Sequence, residues 1–76
     1  MTNYFHTFTR KAAIQDIAAN LYQGSVGTAN SKYFSILDEL SKFEPFVISS
    51  QKILKLQENE DWVGLADVFT EISQKM

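Results

Sequence analysis

Ile14-Gln15-Asp16-Ile17-Ala18-Ala19-Asn20-Leu21 decides the fold class, because Ile14, Ile17, Ala18 and Leu21 recur at the i, i+3, i+4, i+7 spacing that lines one face of an α-helix. The row extends to a helix over about residues 8–23. Thr7 or Thr9 can cap its start, and Gly24 suits the left-handed position after its last turn. Tyr4, Phe5 and Phe8 place three aromatic rings at or before this helix, and such a cluster is expected to fold back onto the core.

Working outward, Gly24-Ser25-Val26-Gly27-Thr28-Ala29-Asn30-Ser31 is rich in turn formers and helix caps and predicts a loop. Beyond it Ile36, Leu40, Phe43, Val47 and Leu54 fall on one stripe, with Ser50 filling the gap, if the chain stays helical over about residues 31–57. Pro45 interrupts that span. It lacks an N–H and its ring meets the carbonyl of Ser41, so the helix must bend or break there. The stripe keeps its phase across Pro45, which favours one kinked helix. A third helix follows Glu58-Asn59-Glu60-Asp61, where Asn59 or Asp61 can cap and the carboxylates oppose the positive end of the helix dipole. Trp62, Leu65, Ala66, Phe69 and Ile72 repeat at helical spacing toward Met76.

The expectation is therefore an all-α, three-helix domain with a long central helix kinked at Pro45; the alternative is four short helices with a break near Pro45. Residues 1–76 are read as one domain, since a chain of 76 residues builds a single core and contains no repeat or linker. An apolar fraction of 45% with 21% charged residues is globular usage.

Composition narrows the function classes. With no cysteine and a single histidine, His6, the chain lacks the ligands of a zinc site and cannot form an internal disulfide. The missing cysteines and the absence of an export signal after Met1 favour a cytoplasmic location. Phe46-Val47-Ile48 is as long as any uninterrupted apolar run, far short of the roughly 20 residues of a membrane span. Net charge is −2 with acidic and basic residues interspersed, and Arg10-Lys11 is the lone basic pair, which disfavours nucleic-acid binding.

No constellation for catalysis is visible. Glu58-Asn59-Glu60-Asp61 lacks the alternating pattern of a calcium loop and reads as a capped helix start. Asp38-Glu39 and Glu60-Asp61 are adjacent, and neighbours on a helix point roughly 100° apart, so neither pair makes a shared acid–base site. Gly24-x-x-Gly27-Thr28 lacks the lysine and the preceding strand of a phosphate loop. No catalytic residue, cofactor, metal or small-molecule substrate is expected.

The surplus of apolar side chains is more telling. Six Phe, three Tyr and one Trp exceed what one face on each of three short helices hides. Phe34, Phe46, Ile48, Ile53 and Leu56 lie off the main stripe of the central helix and form a candidate second apolar face; a monomer with broadly wrapping helices would cover them instead. On this reading Val47 is internal, with Phe43 and Leu54, whereas Ile48 and Leu56 face outward. The expected role is a non-catalytic intracellular module that binds a protein partner or a second copy of itself through that flank. A small inhibitor of a host protein, encoded by a phage or mobile element, is the alternative, and a helix-turn-helix DNA-binding regulator has less support.

Overall fold

Glycine and glutamate occupy equivalent left-handed positions at two turns between helices. The computed structural model describes residues 10–75 of the protein. Helix α1 (Arg10–Tyr22) runs into a turn in which Gly24 takes φ 83°, its N–H donating to Leu21 O at 3.1 Å while the Ser25 N–H donates to Asn20 O at 2.8 Å. This is a Schellman closure, in which a left-handed residue lets two amides satisfy the orphan carbonyls of the last helical turn. Ser25 then precedes α2 (Val26–Leu40), so the turn between the helices is three residues long. The same pattern recurs after α4 (Ser50–Glu58): Glu60 has φ 55°, its N–H donates to Gln57 O at 3.1 Å, and the Asp61 N–H donates to Leu56 O at 2.9 Å. Asp61 at once caps α5 (Trp62–Gln74), its carboxylate accepting from the Gly64 N–H at 3.1 Å. A β-carbon on Gly64 would lie 2.6 Å from Asp61 Oδ2, so this cap needs a residue without a side chain.

The loop expected over Gly24–Ser31 shrinks to this turn. Val26, Gly27, Thr28, Ala29, Asn30 and Ser31 are helical despite their weak propensities, because Ala29 continues a buried row with Tyr33, Ile36 and Leu40. Tertiary burial outweighs local preference here.

The single kinked central helix is also corrected. Helix α2 stops at Leu40, Phe43 is extended at φ −100°, ψ 115°, and a five-residue helix α3 (Glu44–Ile48) begins after it. Pro45 sits in the first turn of α3, where its missing N–H has no intrahelical partner to lose. Ser49 separates α3 from α4. Five helices result, four of them longer than one turn and a half, and no strand occurs among the described residues. The break resets the helical phase that the long stripe assumed, so Val47 and Leu54 turn outward while Phe46 and Ile53 turn inward.

The core forms where α1 lies along α5, the most extensive helix pair in the molecule, with α2 packed on α1 and α4 on α5. Ile14, Ile17 and Leu21 of α1 meet Leu65, Ala66, Phe69 and Ile72 of α5 in one buried cluster that Ile36, Leu40, Phe46 and Ile53 complete. Rings hold its centre: Tyr33 lies 5.5 Å from Phe69 and 6.2 Å from Phe46, both tilted, within the range where aromatic pairs attract. The buried Ser73 hydroxyl donates to Thr70 O at 2.7 Å and so enters the core satisfied. Across the first hairpin Lys32 Nζ meets Asp16 Oδ2 at 2.7 Å, tying α2 to α1.

The two left-handed positions generate a paired expectation with opposite signs. Gly24→Ala strains the turn although no atom lies within 4 Å of the new β-carbon, and should cost about 1 kcal/mol. Glu60→Gly relieves the same strain and should stabilise by up to about 1 kcal/mol; chemical denaturation of both variants reads the two signs.

Candidate protein-interaction surface

Large apolar residues come in adjacent pairs along α2, α3 and α4, and in three places one residue is buried while the next is exposed. Tyr33 is buried and Phe34 is 67% exposed; Phe46 is buried while Val47 and Ile48 are 48% and 74% exposed; Ile53 is buried and Leu54 is 56% exposed. Successive side chains project roughly 100° apart, so on these helices, which bury a narrower face than α5 does with Val68 and Phe69, the neighbour of the anchor reaches solvent.

The five candidates therefore divide. Phe34 and Ile48 are on the surface as expected. Phe46 and Ile53 are core residues, which corrects their assignment to an outer flank, and Leu56 is half-buried against the core. Val47 and Leu54 replace them outside, reversing the reading that made both internal. The missed signal was local: Phe43-Glu44-Pro45 ends one helix and starts another, and inner faces must be read separately on each side. Tyr4, Phe5, His6 and Phe8 lie outside the described residues.

Tyr33 links these regions, because its ring sits 5.7 Å from exposed Phe34 and 6.2 Å from buried Phe46. Removal from water pushes its phenol above the ordinary tyrosine pKa. At the opposite helix pair the Tyr22 hydroxyl donates to Asp67 Oδ1, joining α1 to α5 on the surface. That bond to a carboxylate raises the Tyr22 pKa, against a smaller opposing bond from Thr70.

Polar chemistry is dispersed. Among the described residues no three His, Cys, Asp or Glu side chains converge on a point that would hold a metal ion, and no pocket opens. Asp61 of the acidic run serves as a helix cap, as its sequence context suggested. Asp38 is exposed and Glu39 faces Lys42 at 3.6 Å. No described helix is long and apolar enough to cross a membrane.

The inverted assignment has a direct check. Val47→Asp should change stability by no more than about 0.5 kcal/mol, as a surface substitution does, whereas Ile53→Asp puts an unpaired charge in the core and should unfold the domain; thermal melts separate them. Tyr33 supplies a second. Its folded pKa exceeds the unfolded value of about 10, so its contribution is fully present below that pH and is lost as pH rises through the folded pKa. Melting temperature should fall above about pH 10, and Tyr33→Phe should remove part of that fall.

Comparison of the chain with protein-family models, with curated proteins and with solved structures yields no match, so fold and surface chemistry are what bear on its role.

Proposed function

We propose that this protein is a non-catalytic, intracellular protein-interaction module that docks through the exposed apolar side chains of α3 and α4, chiefly Val47, Ile48 and Leu54. The observation that carries this reading is Ile48, 74% exposed on a five-residue helix whose only inward anchor is Phe46. The accessible surface of 4764 Å² is close to the roughly 4,700 Å² presented by a folded monomer of 8.7 kDa, so the exposed apolar residues sit on a chain of ordinary compactness. Single exposed apolar residues are ordinary, but several on two consecutive short helices are the composition of a contact surface.

A photo-cross-linking residue at position 48, with position 15 on the polar face of α1 as control, tests the reading in cells of the native host. A discrete protein adduct is expected at 48 and none at 15. Competition by excess wild-type protein should suppress it, while Ile48→Asp, with unchanged melting temperature, should compete at least tenfold less well. Equal competition by the two proteins, or no adduct above the control, would overturn the proposal.

A further inference from the structure

We draw no further inference here: the strongest candidate, the exposed apolar face that Val47 and Ile48 of α3 and Leu54 of α4 present, belongs to the surface already described, and nothing in the structure shows what covers it.

Discussion

The structure depends on the seam between α1 and α5. Both helices devote one face to it: Ile14, Ile17, Ala18 and Leu21 on one side, Leu65, Ala66, Phe69 and Ile72 on the other, all almost fully removed from water. Burying side chains of this kind contributes about 1.5–3 kcal/mol each, which is large beside the few kcal/mol of net stability that a domain this small retains. Phe69 ties the seam to the rest. Its ring faces Tyr33 of α2, and Tyr33 faces Phe46 of α3, so one aromatic chain runs from the seam through two further helices. Remove Phe69 and α2 and α3 lose their common support.

Two short turns make the seam reachable. Consecutive helices of 13 and 15 residues must reverse within three residues, and the left-handed conformation at Gly24 does so while satisfying the carbonyls that α1 leaves open. At the second such turn a glutamate adopts the left-handed region with strain, and the next residue, Asp61, begins α5 through its side chain. End of one helix and start of the next are thus a single local device. The Asp61 cap in turn explains why Gly64 stands in a first turn where a side chain would collide with the carboxylate.

The seam was legible in the sequence because each of its helices carries an unbroken row. Ile14-x-x-Ile17-Ala18 and Leu65-Ala66-x-x-Phe69-x-x-Ile72 have the right spacing, and every member is buried. Helix α2 was half-hidden: Gly27, Thr28, Asn30 and Ser31 have loop-like preferences, and only the non-local burial of Ala29 against the core makes their segment helical. The candidate surface was legible in part. Phe34 and Ile48 stood out as apolar residues off the expected stripe, but a stripe drawn through Pro45 assumes continuous helical phase. The extended Phe43 destroys that continuity, so Val47 and Leu54 exchange roles with Phe46 and Ile53. Phase across a break is set by tertiary contacts, here the Phe46 ring reaching Tyr33, and those are absent from one-dimensional spacing.

A core centred on the α1–α5 seam, with α3 attached through one aromatic anchor, implies a gradient of local stability that also suits the two for different work: the seam holds the fold, and α3 presents side chains at its margin. Native-state amide hydrogen exchange resolved by residue tests this most directly. Amides in the middle of α1 and α5, near Ile17 and Phe69, are expected to exchange only through global unfolding, with those of α3 exchanging through smaller openings at least tenfold faster. Protection in α3 equal to that at Phe69, or an α1 that opens independently of α5, would contradict the seam as the centre on which the structure depends.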